Sequence, residues 1–365
     1  MEEATYVEGF HDAEAVKLMT YNNLGNTGLR VSEMAFGGGP AGGVYGSQME
    51  EESLKTLQLA LKCGINYIDT APWYGNGRSE EVLGKGLATV PRQAFYIGTK
   101  VGRYEPNIEN MFDFSAEKVT KVFEESLKKL GLDYVDIIQI HDIEFASSLD
   151  IIVNETLPAL QKLVDQGKAR FIGITGYTLS CLKEVVERSK VRVDTVLTYC
   201  RNTILNDDFK NYVDFFKSHN VSMINACCVV MGLLAQDAKA TPHWHPAPQE
   251  IKDKVQEARD LCKTNGCDLG RLSVQYSLQT CKGFIGTHLM GNSSVAVLQH
   301  NIATIRAKPT DLEMRIAKQV RELFSSLSKT HWEGEDPKRY WTQLKMHRGE
   351  IPHDPNFKPF ITSAN

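Results

Sequence analysis

The chain has 365 residues, a near balance of 41 basic and 45 acidic residues, and eight cysteines without a CxxC spacing. Mixed charges with a net charge of −4 are typical neither of a nucleic-acid surface nor of a membrane surface, so neither partner is expected. The acidic start has no apolar core of a secretory signal, and no apolar run reaches the ~18 residues of a membrane span. We therefore predict a cytoplasmic protein with reduced thiols.

Eight short runs rich in β-branched and aromatic residues recur along the chain and predict strands. They are MAFGG (34–38), NYIDTA (66–71), AFYIGTKV (94–101), YVDIIQIH (134–141), ARFIGITG (169–176), TVLTYC (195–200), VSMINACCV (221–229) and GFIGTHLMG (283–291). Amphipathic helical patterns lie between most of them; one begins at Ser115 and ends at Gly131. This alternation predicts parallel strands joined by crossovers, and eight units predict an α/β fold, a closed (β/α)8 TIM barrel.

One barrel with extensions accounts for the length, so a single domain is expected. We predict an N-terminal extension over 1–21, the barrel over 22–305, and a C-terminal helix and polar tail over 306–365. The turn-rich segment 101–116 predicts a surface loop over the barrel mouth. Whether the tail packs on the barrel or crosses this mouth is left open, as is the oligomeric state.

Four residues that can move protons lie at or just past the ends of three successive predicted strands: Asp69, Tyr74, Lys100 and His141. The carboxyl ends of barrel strands meet at one face, where catalytic residues are found. An acid and a lysine can hold a tyrosine at a pKa suited to proton transfer near neutrality. The pattern therefore predicts a site that makes or removes a carbonyl during hydride transfer.

Two other patterns are weaker. GGGPAG (37–42) fits a dinucleotide-binding GxGxxG, but no helix opens on it and no acid follows about 20 residues on, so a Rossmann domain is not predicted. HWH (243–245) offers too few ligands for a metal ion, and no metal site is predicted.

Long segments of the chain resemble the aldo-keto reductase superfamily. They are DTAPWYGNGRSEEVLGKGL, IGTKVGRY, LGLDYVDIIQIHDIEF and GKARFIGITG. The segments HDIEFASSLD, HWHPAPQEIK and LSVQYSL are similar to its branch of aldose 1-dehydrogenases, which act on L-galactose or D-arabinose. The resemblance covers roughly residues 22–305. It implies a barrel that binds a nicotinamide dinucleotide without a Rossmann domain.

The resemblance also implies residue roles. Tyr74 would be the general acid/base, Lys100 paired with Asp69 would lower the Tyr74 pKa, and His141 would orient the substrate oxygen. The family's carboxamide-binding pair falls on Thr175 and Gly176, where the glycine offers no side chain. The positions implied for the cofactor are Thr175, Gly176, Tyr199, Cys227, Gly232, Leu233, Gly291, Asn292, Ser293, Ser294 and Asn301.

The resemblance implies NAD or NADP as the cofactor, with NAD slightly favoured. Members that prefer NADP often carry a lysine at the position of Gly291 and an arginine near Val297, and neither is present. A basic residue from another loop could replace them, so NADP stays open.

The resulting interpretation is an enzyme that oxidises an aldose at C1 to a lactone. Two alternatives remain: an NADPH-dependent reductase of small aldehydes or ketones, and a cofactor-binding regulatory subunit without turnover, like the reductase-fold β-subunits of potassium channels. The expected partner is a small sugar or carbonyl compound.

Overall fold

The computed structural model describes residues 4–44, 46, 49–237 and 245–360. Eight parallel strands close into a barrel, and two further strands form an antiparallel hairpin. The predicted eight-stranded barrel is confirmed. The strands are β1 Tyr21–Asn23, β2 Arg30–Ser32, β3 Met34–Gly37, β4 Tyr67–Asp69, β5 Tyr96–Val101, β6 Val135–Ile140, β7 Ala169–Gly176, β8 Thr195–Tyr199, β9 Ser222–Ala226 and β10 Ile285–Gly291. Around the barrel their order is β10-β3-β4-β5-β6-β7-β8-β9, and β1 and β2 form the hairpin.

Helices surround the barrel and extend beyond it at the C-terminal side. Within the described residues they are α1 Ala13–Lys17, α2 Glu50–Lys62, α3 Arg78–Leu87, α4 Ala116–Leu130, α5 Leu149–Ile151, α6 Leu157–Asp165, α7 Leu179–Arg188, α8 Val213–Ser218, α9 Gln249–Thr264, α10 Leu269–Gln279, α11 Val295–Arg306, α12 Asp311–Phe324 and α13 Glu335–His347. The division of the chain at residues 21 and 305 stays a prediction.

Helix α4 follows directly from its sequence. The Ser115 side chain accepts a hydrogen bond from the Lys118 backbone, and Gly131 ends the helix with φ 65°, a conformation that glycine adopts without steric cost. Its buried face carries the apolar residues of the predicted pattern. The helical segment between β6 and β7 is not regular, because a π-helical segment, Ile152–Thr156, separates α5 from α6. Pro158 lacks an N–H and crowds the preceding turn, which a wider turn relieves.

The barrel interior is closed at the amino ends of its strands by the hairpin, which the sequence did not predict. Leu24 and Leu29 lie between β1 and β2 and are almost completely buried. They pack against Tyr67, Ile137 and Ile224, which lie on the barrel strands. The hairpin therefore fills the amino end of the barrel, and the opposite end is left for a site.

The C-terminal segment crosses the barrel mouth. The sequence had left open whether this tail crosses the mouth or packs elsewhere on the barrel. Tyr340 of α13 is buried against Phe112 and Phe145, with ring centroids 4.9 and 5.8 Å apart. Phe360 lies 5.4 Å from Phe145, centroid to centroid. Trp73, next to Tyr74 in the chain, belongs to the same apolar cluster. We name residues 330–360 the C-terminal cover.

Candidate active site

The four candidate proton-transfer residues lie together at the carboxyl end of the barrel. Asp69 ends β4, Lys100 lies in β5 one residue before its end, and His141 directly follows β6. Strand register places Asp69 opposite Gly98, and Lys100 opposite Gln139. Adjacent parallel strands thus present their last side chains toward one point.

Lys100 connects the acid to the phenol. Its ammonium forms an ion pair with the Asp69 carboxylate, and its Nζ donates to Tyr74 Oη at 3.2 Å and to the Thr70 carbonyl oxygen at 2.9 Å. The second Asp69 oxygen accepts from Gln139 Nε2 at 2.7 Å. Burial lowers the Lys100 pKa, but Asp69 and Tyr74 outweigh burial, and the pKa is raised. Lys100 is therefore a fixed cation beside the phenol.

The Tyr74 hydroxyl experiences opposing effects. Burial raises its pKa, the Lys100 charge lowers it, and Asp69 raises it, with a net result of about 12. The predicted lowering of the Tyr74 pKa by Lys100 is thus present, but in the protein alone it is smaller than the increase that burial causes. A phenol with this pKa is protonated at neutral pH, so it can donate a proton directly and needs alkaline pH to accept one.

His141 is a neutral imidazole. Burial lowers its pKa well below the ordinary value, and Lys100 and Arg103 add to the effect. Its ring meets Tyr74 edge-on, with centroids 5.9 Å apart. Its Nδ1 is buried without a hydrogen-bond partner among the described residues. A neutral imidazole beside a phenol can donate a hydrogen bond to a substrate oxygen without adding positive charge.

A cavity of about 390 Å³ opens beside Asp69 and Tyr74. This size falls within the range of ~300–1,000 Å³ for small-molecule sites. It extends from Tyr74 to Gly291 at the end of β10 and to the first turns of α11, which carry Val297 and Asn301. The cavity is therefore suited to an extended dinucleotide.

Six of the eleven positions implied for the cofactor line this cavity: Tyr199, Cys227, Gly232, Gly291, Ser293 and Asn301. The other five do not line it: Thr175, Gly176, Leu233, Asn292 and Ser294. Asn292 Oδ1 accepts from the Asn301 side chain at 3.0 Å, and Ser294 caps α11. Leu233 is buried in an apolar cluster. Roles for all eleven stay predictions.

The structure gives Thr175 and Gly176 other contacts. The Thr175 hydroxyl oxygen accepts from the Asp142 backbone at 3.0 Å. A Cβ on Gly176 would lie 2.5 Å from Glu144 Oε2, so glycine leaves room for that buried carboxyl. Burial and the nearby Asp142 raise the Glu144 pKa to about 8, although the Tyr177 and Thr178 backbones donate to it. Sequence reasoning missed Glu144.

Segment 101–116 is also more buried than predicted. Arg103, Tyr104, Met111 and Phe114 are all buried, so its inner side is part of the mouth and not a solvent-exposed loop. The Arg103 guanidinium lies 4.2 Å from the Trp73 ring centroid and forms an ion pair with Asp142. Asp142 directly follows His141, and that position was the only sequence signal for this pair.

The glycine-rich loop after β3 packs on the Tyr74 turn. A Cβ on Gly42 would lie 2.5 Å from the Tyr74 carbonyl carbon and oxygen, a distance that forces backbone movement. We expect Gly42→Ala to lower kcat by about 10²-fold, because misplacing a catalytic group by ~1 Å has this effect. Steady-state kinetics and thermal unfolding of the variant test the expectation. A kcat close to that of the parent would show that the Tyr74 position does not depend on this contact.

Within the described residues, no cluster of three or more His, Cys, Asp or Glu side chains could hold a metal ion. Of the HWH segment, residues 243 and 244 lie outside the described residues, while His245 is buried with its Nε2 2.9 Å from the Val230 carbonyl oxygen. A search of the same residues finds no helix with the length and apolar character of a membrane span.

Comparison with known proteins agrees with this geometry. The family model described as "Aldo/keto reductase family" matches residues 33–322. The chain belongs to the aldo/keto reductase family. As a member of this family it is an NAD(P)-dependent oxidoreductase.

Relatives of this aldo/keto reductase include several sugar dehydrogenases. L-galactose dehydrogenase of Arabidopsis thaliana is 44% identical over 293 residues, which cover 80% of this chain and 88% of the relative. D-arabinose 1-dehydrogenase of Saccharomyces cerevisiae is 27% identical, with coverage of 84% and 93%. Among solved structures, the holo form of an aldo-keto reductase from Bacillus halodurans has a TM-score of 0.69 at 26% identity, covering 87% of this chain and 99% of that one.

Proposed function

We propose that the enzyme oxidises an aldose at C1 to a lactone, with Tyr74 as the general acid/base. The observation that carries this proposal is the contact of the Tyr74 hydroxyl with the buried Lys100–Asp69 pair at one end of the cavity. A phenol, a fixed cation and a neutral imidazole form the set needed for proton transfer at a carbinol or carbonyl.

The chain's own residues perform the proton transfer. When bound, the nicotinamide ring accepts or donates a hydride. In oxidation, the Tyr74 phenolate takes the proton of the C1 hydroxyl while His141 donates a hydrogen bond to the same oxygen. The Lys100 ammonium stabilises the phenolate, and Asp69 with Gln139 keeps that ammonium in place. Because the Tyr74 pKa is raised to about 12 in the protein alone, oxidation should become faster as the pH rises.

The preferred cofactor in this proposal is NAD. Gly291 and Val297 line the cavity and carry no charge. A carboxylate lies close by, since Glu52 Oε1 accepts from the Val295 backbone at 2.9 Å in the first turn of α11. A 2′-phosphate beside Gly291 and Val297 would face the Glu52 carboxylate and would find no lysine or arginine at either position. The uncharged ribose hydroxyl of NAD could be accepted there.

We expect the double variant Gly291→Lys/Val297→Arg to shift preference toward NADP. A charge-assisted contact to phosphate contributes roughly 1.5–3 kcal/mol, or about ten- to a hundred-fold in affinity. The test is kcat/KM for both cofactors in the parent and the variant, with Met314→Arg as a control that adds a charge at an exposed position of α12. A parent enzyme that prefers NADP a hundred-fold would mean that another cation holds the phosphate.

The similarity to L-galactose and D-arabinose dehydrogenases supports an aldose as the substrate. Initial rates at 340 nm with L-galactose or D-arabinose and NAD should exceed those for p-nitrobenzaldehyde and NADPH. The reverse order would favour a carbonyl reductase. Cofactor binding without repeated turnover of either the sugars or the aldehyde would instead favour a regulatory role, and would contradict the proposed reaction.

A further inference from the structure

A second polar pair lies beside His141 and is not part of the proton-transfer group. Arg103 NH1 donates to Asp142 Oδ2 at 2.7 Å, and the same carboxylate oxygen lies 3.8 Å from His141 Nε2. Arg103 is 9% exposed and Asp142 is 4% exposed. The pair is therefore buried next to the His141 ring, which would hold the reacting oxygen.

The surroundings fix both members of the pair. Asp142 has a φ of 52°, a left-handed conformation that is unusual for a residue with a side chain and is often found at functional sites. The Thr175 hydroxyl oxygen accepts its backbone N–H at 3.0 Å. The Arg103 guanidinium lies on the Trp73 ring, and Phe360 of the C-terminal cover lies 5.9 Å from it on another side. Both side chains are thus held before any substrate binds.

Two nitrogen atoms beside the Arg103–Asp142 contact have no hydrogen-bond partner among the described residues. They are Arg103 Nε and His141 Nδ1, and both are buried. A buried donor without a partner costs roughly 1–3 kcal/mol, and such groups in native proteins call for an explanation.

We propose that Arg103 and Asp142 bind the hydroxyl group on the carbon next to the reacting carbon, which is C2 of an aldose. This inference rests on the proposed function. Neighbouring oxygens of a sugar lie roughly one hydrogen-bond length apart. Asp142 Oδ2 lies 3.8 Å from His141 Nε2, so a sugar whose C1 oxygen is held by Tyr74 and His141 would bring its C2 hydroxyl toward this carboxylate. The carboxylate accepts the C2 hydroxyl proton, and the guanidinium donates to the C2 oxygen. Since Asp142 already balances the Arg103 charge, the pair suits a neutral hydroxyl.

The pair also predicts discrimination against simple aldehydes. A site built to hydrogen-bond a substrate hydroxyl rejects analogues that lack it, because its buried polar groups are left unpaired. An aldehyde with hydrogen or alkyl groups at the neighbouring carbon would leave both Arg103 and Asp142 unsatisfied.

The test compares an aldose that the enzyme turns over with its 2-deoxy analogue. For the parent enzyme we expect kcat/KM to fall roughly ten- to a hundred-fold on loss of the hydroxyl. In Asp142→Asn and Arg103→Gln, kcat/KM for the full sugar should fall while that for the 2-deoxy sugar changes little, so their ratio approaches one. Asp133→Asn, at the opposite end of β6, is the matched control and should keep the parent ratio.

The ratio of kcat/KM for the full sugar to kcat/KM for its 2-deoxy analogue tests this inference separately from the proposed function. Equal kcat/KM for both sugars in the parent enzyme would overturn the inference while leaving aldose oxidation intact, even if a variant failed to fold. If no aldose is turned over, the proposed function fails, and the same ratio is measured in reduction with lactaldehyde against propionaldehyde. A preference for lactaldehyde that is lost in Asp142→Asn would sustain the pair's role, and equal rates would refute it.

Discussion

Replacing Tyr74 with phenylalanine is expected to lower kcat by about 10²–10⁴-fold while cofactor affinity changes little. The variant keeps the aromatic ring and its edge-on contact with His141, and it loses only the hydroxyl group that contacts Lys100. The reaction would then lack its proton donor and acceptor but keep the cavity that binds the cofactor.

Single-turnover rates and a fluorescence titration of the reduced cofactor would measure the two quantities separately. Tyr212→Phe makes the same chemical change before α8, away from the cavity, and should behave like the parent. If Tyr74→Phe turns over within a few-fold of the parent, Tyr74 is not the acid/base.

Replacing Lys100 with methionine is expected to affect both stability and pH dependence. Asp69 is completely buried, and the substitution leaves its charge without a counter-ion. Removing one partner of a buried ion pair costs about 3–5 kcal/mol. The Gln139 amide still donates to Asp69, but it carries no charge.

The same substitution removes the positive charge that lowers the Tyr74 pKa, so this pKa should rise further. Oxidation needs the phenolate, and the rising limb of the pH–rate profile should therefore move to higher pH. Each unit of pKa corresponds to about a ten-fold lower rate at a fixed pH below the optimum.

Urea unfolding and pH–rate profiles of Lys100→Met would test both effects. The double variant Lys100→Met/Asp69→Asn removes the uncompensated charge and should recover part of the lost free energy of unfolding. An unchanged pH profile in a folded Lys100→Met protein would show that this lysine does not tune the tyrosine.

The positions of the candidate proton-transfer residues could be predicted from sequence because the strands end where their β-branched runs end. Asp69, Lys100 and His141 lie at those ends, and parallel strands in a barrel bring their ends to one face. No contact between distant segments had to be known. The same reasoning correctly placed the start and end of α4.

Features that depend on distant contacts could not be predicted in this way. Leu24 and Leu29 belong to a hairpin of three-residue strands, too short for an alternating pattern. Arg103 lies among turn-forming residues that indicate a surface loop, and only the arrival of Asp142, Trp73 and the C-terminal cover buries it. The glycine at 176 is explained by Glu144, a contact between neighbouring strand ends.

The closure of the barrel has a consequence for synthesis on the ribosome. Strand β10 pairs with both β9 and β3, so the wall stays open until residues 285–291 have been made. A nascent chain that ends after β9 already contains the four candidate proton-transfer residues but exposes two unpaired strand edges, which favour association with other chains. Because Gly291 and Asn301 also come from this last part, the cavity is complete only in the closed barrel. Cofactor binding would therefore report on chains that have finished folding, and partly made chains would need protection from aggregation until then.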